Sequence, residues 1–120
     1  GTLMPDDLAA IAIDIRRRLA RAAADRRAAM HTPVVATADA DARVMVLRAF
    51  DPAGFTLRFH TDARSPKLAA VAADPRMGVL FYDPGDKLQL RCRGMGEVLC
   101  DGPLVDAAWL ASSEYARRCY

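Results

Sequence analysis

The stretch RVMVLRAFDPAGFTLRFHT, residues 43–61, decides how this chain folds. It joins an apolar segment to a loop, DPAG, and then to a segment in which every second residue from Phe55 is apolar. Alternation with a period of two is typical of a strand with one buried face, and an Asp-Pro-x-Gly loop is a strong hairpin signal. The stretch therefore predicts two antiparallel strands, over residues 43–50 and 55–61.

The flanking segments add helices and more short strands. Leu8, Ile11, Ile15 and Leu19 recur at helical spacing and predict one long helix over residues 6–30, ended by a proline at position 33. The other predicted elements are a strand at 33–38, a short helix from Ser65 to residue 73, strands at 76–82 and 87–99 with a bulge near the glycines 94 and 96, and a helix at 103–120. This order, mainly β with flanking helices, fits a small β-barrel.

Length and composition limit the class of protein. The 120 residues predict a single domain, and 52% hydrophobic residues are enough for a real core. A net charge of +2 is too balanced to indicate nucleic-acid binding. No apolar run approaches the roughly 20 residues needed to span a bilayer, so no membrane association is expected.

Cysteine and histidine usage limits the chemistry. Three cysteines without a CxxC pair do not indicate a disulfide framework, and with no signal-peptide pattern at the start they predict a cytoplasmic protein. Only two histidines are present, and no pair of ligands has zinc spacing, so no metal site is expected.

The segment HTDARSPK, residues 60–67, carries the strongest indication of a binding site. It follows a strand and opens a helix, whose first amides lack internal partners and attract anions. Its hydroxyls and cations, together with the arginines of the preceding strand, suggest a phosphate site made of Thr61, Ser65, Arg64, Lys67, Arg43 and Arg48. The alternative is an ordinary helix cap beside a solvated strand face.

Five segments in one order resemble the pyridoxamine 5′-phosphate oxidase family. RVMVLR is similar to the family pattern R-x-V-L-L-K, and GFTLRFHTD to G-F-x-F-Y-T-N. SPK stands where the oxidases carry S-R-K, DPRMGVLFY resembles N-P-x-A-A-L-x-F-Y, and QLRCRG resembles Q-V-R-x-x-G. The segments begin at residues 43, 54, 65, 74 and 89, and the resemblance covers most of residues 32 to 100.

The resemblance implies an FMN-binding split β-barrel, usually a homodimer with FMN at the subunit interface. It implies that Arg43 and Lys67 bind the FMN phosphate, and that Thr61 and Ser65 bond the phosphate or the ribityl chain. Val44, Met45 and Val46 would present backbone to the flavin ring, and Gln89 would reach its polar edge. Two further positions of this cofactor site depart from the family pattern: His60 replaces a tyrosine, and Arg48 replaces a lysine that contacts substrate in the oxidases.

The substrate half of the family pattern is not evident. Where the oxidases place residues that hold the substrate phosphate, this chain reads WLASSEYARR from Trp109 onward, which resembles shorter oxidase-related flavin proteins. The expected function is therefore an FMN-dependent oxidoreductase acting on an unidentified small molecule, with no catalytic residue assigned because the flavin supplies the redox chemistry. The alternatives are a non-catalytic flavin-storage module, a barrel for haem or a deazaflavin, and an acidic partner or nucleic acid for the basic first helix.

Overall fold

The computed structural model describes the backbone of residues 5–62, 66–101 and 104–118, and the side chains of residues 7–60 and 66–98. The helices are α1 (Pro5–Ala24) and α2 (Pro66–Ala73), with a short 3₁₀ turn at Ala29–His31. The strands are β1 (Val34–Thr37), β2 (Ala42–Val44), β3 (Leu47–Asp51), β4 (Thr56–Asp62), β5 (Arg76–Asp83), β6 (Leu88–Asp101) and β7 (Leu104–Arg118).

The strands form one antiparallel sheet in the order β2-β1-β5-β6-β7-β4-β3. Its two edge strands, β2 and β3, are joined by only two residues, Met45 and Val46. In a flat sheet seven strands would hold the edges about 29 Å apart, whereas the chain from Val44 to Leu47 spans at most about 11 Å. The sheet must therefore curl until its edges approach, which confirms the predicted small β-barrel with flanking helices.

The core lies inside this barrel and under α1. The alternation predicted for β4 is confirmed, because Leu57 and Phe59 are fully buried while Arg58 and His60 are exposed. Other strands contribute Val35, Leu47, Val79, Phe81, Leu90 and Cys92, and α1 contributes Ile15, Leu19 and Ala22. The first half of the predicted helix stripe is not covered, since Leu8 is 52% exposed.

Two predicted elements differ from the structure: the first helix ends early, and one predicted strand is divided in two. The predicted helix over residues 6–30 stops at Ala24, where the carboxylate of Asp25 accepts a hydrogen bond from the amide of Arg27 and competes with the helix ladder. The predicted strand over residues 43–50 is divided into β2 and β3. The division is required because this segment carries the chain from one edge of the sheet to the other.

The predicted helix over residues 103–120 is wrong. This segment contains β7, which pairs along β6 on one side and along β4 on the other. Its many alanines favour a helix locally, but a strand satisfies the long, otherwise open edges of β6 and β4 with backbone hydrogen bonds. Trp109 is paired in register with Leu57 and with Gly96.

Candidate functional site

Two cations of the predicted phosphate site, Arg43 and Lys67, lie near enough for their charges to interact. Lys67 is in the first turn of α2 and Arg43 is in β2, and both side chains are half-buried. The Lys67 ammonium group contacts the sulfur of Met45, with 3.6 Å between Nζ and Sδ. The β2–β3 connection and α2 therefore bring together residues that are distant along the chain.

The electrostatics of this pair favour an anion. Burial lowers the pKa of Lys67, and the nearby Arg43 guanidinium lowers it further. Each effect reflects the cost of holding a positive charge there, and a bound anion would reduce that cost. The amino end of α2 adds its own partial positive charge, so the residues present fit a phosphate group.

Behind the cations the surface is apolar. Met45 is buried, and with Val35, Phe59 and Val71 it surrounds a cavity of about 20 Å³. A space of this size holds one water molecule at most. An anion at Lys67 must therefore approach from outside the barrel.

The carboxylate of Asp41 was not predicted as part of this site. It forms an ion pair with the Arg43 guanidinium. Residues two apart in an extended chain face the same side, so the Asp-x-Arg spacing at 41–43 was the signal that could have revealed it. The ion pair orients Arg43 while leaving its remaining donors for a ligand.

The other predicted cofactor residues are spread around the sheet. Val44 is 65% exposed on β2, Val46 is half-buried between β2 and β3, and Arg48 is exposed on β3. His60 is exposed on β4, where its backbone pairs with that of Asp106.

The side chains of two predicted hydroxyl donors lie outside the described residues. The backbone of Thr61 lies in β4 opposite Val105, but its side chain is outside the described residues. Ser65, the predicted cap of α2, lies wholly outside them.

Gln89 lies on the opposite face of the sheet from Arg43. Arg43 is paired with Val35, which is buried, so Arg43 lies on the face that turns toward the core. Gln89 is paired with Tyr82, which is 47% exposed, so Gln89 lies on the outer face. Three strand spacings, about 14 Å, also separate β2 from β6. One chain therefore does not bring Gln89 to the Arg43–Lys67 pair.

The structure gives no indication of a metal or a membrane span within the described ranges. No group of three or more His, Cys, Asp or Glu side chains among these residues is placed to hold a metal ion. None of the described helices is both long and apolar enough to cross a bilayer.

Similarity to known proteins assigns this chain to a family. The family model for pyridoxamine 5′-phosphate oxidase matches residues 19–119. A curated pyridoxine/pyridoxamine 5′-phosphate oxidase of Kineococcus radiotolerans is 41% identical over 88 residues, which cover 70% of this chain and 37% of that relative. This chain belongs to the pyridoxamine 5′-phosphate oxidase family and spans little more than a third of that relative's length.

Solved structures agree on the fold. A Listeria innocua protein provisionally named pyridoxamine 5′-phosphate oxidase is 17% identical, with a TM-score of 0.72 over 91% of this chain and 99% of that one. A pyridoxamine 5′-phosphate oxidase-related, FMN-binding protein of Nostoc punctiforme is 27% identical, with a TM-score of 0.55 over 85% and 52%. An F420 reductase is 18% identical, with a TM-score of 0.59 over 72% and 90%. The fold is that of the pyridoxamine 5′-phosphate oxidase-like split barrels.

Proposed function

We propose that this protein binds FMN and works as an FMN-dependent oxidoreductase on a small molecule. The observation that carries the proposal is the Arg43–Lys67 pair, two half-buried cations held together at the amino end of α2. The family to which the chain belongs includes an FMN-binding protein, and a phosphate monoester suits this pair.

The remaining predicted residues would complete the cofactor site around that phosphate. The backbone from Val44 to Val46 would lie along the flavin ring, and Thr61 and Ser65 would bond the phosphate or the ribityl chain. Arg48 and His60, which are exposed on β3 and β4, would border the site. When bound, the flavin supplies hydride transfer, so the residues of the chain only have to bind it, orient it and exclude water.

We further propose that the working form is a homodimer with FMN at the interface. Gln89 and the Arg43–Lys67 pair lie on opposite faces of the sheet, so they reach one cofactor only if two chains contribute. The outer face around Gln89 also exposes apolar side chains, with Tyr82 47% and Leu80 38% exposed. A second copy would cover them.

The compartment and domain organisation are proposals of the same kind. Cys92 is a buried cysteine outside any disulfide, which suits the reducing cytoplasm. We treat residues 1–120 as one FMN-binding domain because α1, α2 and the curled sheet share a single core.

The decisive experiment compares FMN with riboflavin, which lacks the phosphate, by quenching of flavin fluorescence. We expect FMN to bind at least about tenfold more tightly, because charge-assisted hydrogen bonds to the phosphate are lost with riboflavin. K67Q should remove most of this difference, whereas K87Q, a change of the same chemistry in an exposed turn, should not. If the protein takes up no FMN, the proposal is contradicted. If it binds a deazaflavin more tightly than FMN, the cofactor is the deazaflavin.

Turnover needs a separate measurement. Stopped-flow reduction of the bound flavin by a panel of nicotinamide and amine donors, compared with free FMN, distinguishes an oxidoreductase from a storage protein. Reduction of the bound flavin faster than that of free FMN by any one donor supports the enzyme. Equal rates with every donor support the flavin-storage alternative.

A further inference from the structure

The side chains of residues 41, 43 and 45 form a row along one face of β2. Successive side chains of an extended chain alternate between two faces, and the β1–β2 ladder continues to the amide of Met45, which donates to the carbonyl of Pro33 at 2.9 Å. Met45 ends the row in contact with Lys67. Asp41 begins it, paired with the Arg43 guanidinium. A carboxylate therefore stands at the end of the row opposite to Lys67.

The position of Asp41 is fixed by the turn between β1 and β2. Thr37, which is buried, donates its amide to the Asp41 carbonyl at 3.0 Å. The Thr37 hydroxyl donates to Oδ1 of Asp39 at 2.5 Å, and Ala40 takes a left-handed φ of 66° where the chain reverses. Oδ1 of Asp41 accepts a hydrogen bond from the amide of Ala42 at 3.0 Å. Both the backbone and the carboxylate of Asp41 are thus held in place before any ligand binds.

The ion pair occupies one nitrogen of the Arg43 guanidinium. Oδ2 of Asp41 accepts a hydrogen bond from Nη2, and a guanidinium has five N–H donors in all. The contact therefore leaves the donors on Nε and Nη1 for an anion. An unrestrained arginine would lose side-chain entropy on binding a phosphate, whereas the ion pair has already restricted this one.

We propose that Asp41 is a positioning residue for the cofactor phosphate. It ties down the Arg43 guanidinium and holds it apart from Lys67, so that one phosphate fits between the two cations. This inference rests on the proposed function, because the phosphate is that of the proposed flavin.

The carboxylate of Asp41 has a second, opposite effect on a phosphate. Like charges within about 6 Å disfavour each other, so Asp41 repels the anion that Arg43 attracts. Its positioning effect outweighs this repulsion only while the Arg43 guanidinium is present to be positioned. The sign of the Asp41 effect therefore depends on Arg43, which a merely structural role in the turn does not require.

The first test measures FMN and riboflavin dissociation constants by quenching of flavin fluorescence. We expect D41A to bind FMN about threefold to tenfold more weakly and riboflavin, which has no phosphate, as the wild type does. D41N keeps the size of the side chain and should lose less, and D41E restores the carboxylate and should regain most of the affinity. D14A is the matched control and should change neither constant. Asp14 also pairs with an arginine, and its side chain is 55% exposed against 56% for Asp41.

The second test repeats D41A in the R43Q background. There the carboxylate has lost its cation and only the repulsion remains, so D41A should strengthen FMN binding relative to R43Q alone. If D41A weakens FMN binding equally in both backgrounds, Asp41 does not act through Arg43 and the proposal is overturned. Equal losses of FMN and riboflavin affinity in D41A and D41N would also overturn it, because they indicate a damaged fold.

The remaining outcomes separate this inference from the proposed function. If the wild type binds FMN and D41A binds it equally well, the inference is wrong and the proposed function stands. If the wild type takes up no FMN, the proposed function fails and inorganic phosphate becomes the probe, followed by phosphorus-31 NMR. Phosphate binding that requires both Lys67 and Asp41 would retain Asp41 as a positioning residue of an anion site. Phosphate binding that is absent or independent of Asp41 would overturn the inference as well.

Discussion

The ammonium group of Lys67 lies 3.6 Å from the sulfur of Met45, at the point where the chain leaves β2 for β3. This contact joins α2 to the residues that connect the two edges of the sheet. It also holds Lys67 near Arg43 in a half-buried setting that is unfavourable for two like charges. The arrangement predicts how the pair responds when one cation is removed.

Replacing Arg43 with Gln should raise the pKa of Lys67, because the guanidinium is one cause of its lowering. Nitrogen-15 NMR of the Lys67 side chain across alkaline pH would measure the change. Burial is the larger cause, so the pKa should stay below its ordinary value of 10.5. R48Q, an equivalent change on the exposed face of β3, is the control and should leave it unaltered.

FMN affinity should fall as the pH rises toward the ordinary pKa of lysine. In the free protein the pKa of Lys67 is lowered, so the ammonium loses its proton earlier than usual, whereas a bound phosphate raises that pKa again. Binding is then coupled to proton uptake. Dissociation constants measured between about pH 7 and pH 10 should increase for the wild type and change less for K67Q. Parallel curves would contradict a role for Lys67 at the phosphate.

The stability of the flavin-free protein should rise with pH over the range in which FMN affinity falls. Because the folded-state pKa of Lys67 is below its unfolded value, the unfolded chain binds more protons between the two. This residue therefore makes the protein more stable as the pH rises through that window. Urea unfolding of the wild type and K67Q across the same range would detect the difference, and an identical pH dependence would argue against it.

Two defective variants should restore a working site when combined. K67Q and Q89A each damage a different half of the proposed interface site, so a heterodimer of the two carries one intact site and one doubly defective site. Equal mixing by unfolding and refolding should recover about one FMN site in four. A mixture of K67Q and R43Q is the control and should recover none, because both changes affect the same half. If neither mixture recovers FMN binding, the residues that hold each FMN all belong to one chain.

Gly96 should be intolerant of a side chain. Its amide donates a hydrogen bond to the carbonyl of Pro75, and an added Cβ would lie 2.2 Å from Sδ of Met77 and 3.1 Å from Cγ1 of Val71. We expect Gly96→Ala to cost about 1–3 kcal/mol in the free energy of unfolding, through overpacking. Urea denaturation measures this cost.

The matched control for that experiment is Gly78→Ala. Its new Cβ would meet a carbonyl oxygen only at 3.8 Å, and alanine is at least as stable as glycine in such a strand. It should therefore leave stability unchanged or slightly higher. Equal losses at the two positions would mean that the contacts of Gly96 with Met77 and Val71 are not the cause.

The sequence by itself determined which side of β4 is buried, and it predicted that two cations lie near each other. The alternation of Leu57 and Phe59 with Arg58 assigns the two faces of β4, because successive side chains of a strand point to opposite sides. The cations Arg43 and Lys67 were predicted to share one site, and the structure places them together. The burial pattern depends on local spacing, which is visible in one dimension. The proximity of the two cations was inferred from the predicted hairpin, which returns the chain from the strand of Arg43 to the start of the helix of Lys67.

Only the tertiary structure decided the state of residues 104–118 and the position of Gln89. The alanine-rich segment forms β7 because two open strand edges offer backbone hydrogen bonds on both sides, which its own helix propensity cannot outweigh. Gln89 faces away from Arg43 because the register of β1, β5 and β6 places the two residues on opposite sides of one sheet. Pairing between strands that are not joined by a hairpin is set by contacts between distant parts of the chain, and local sequence carries no record of it.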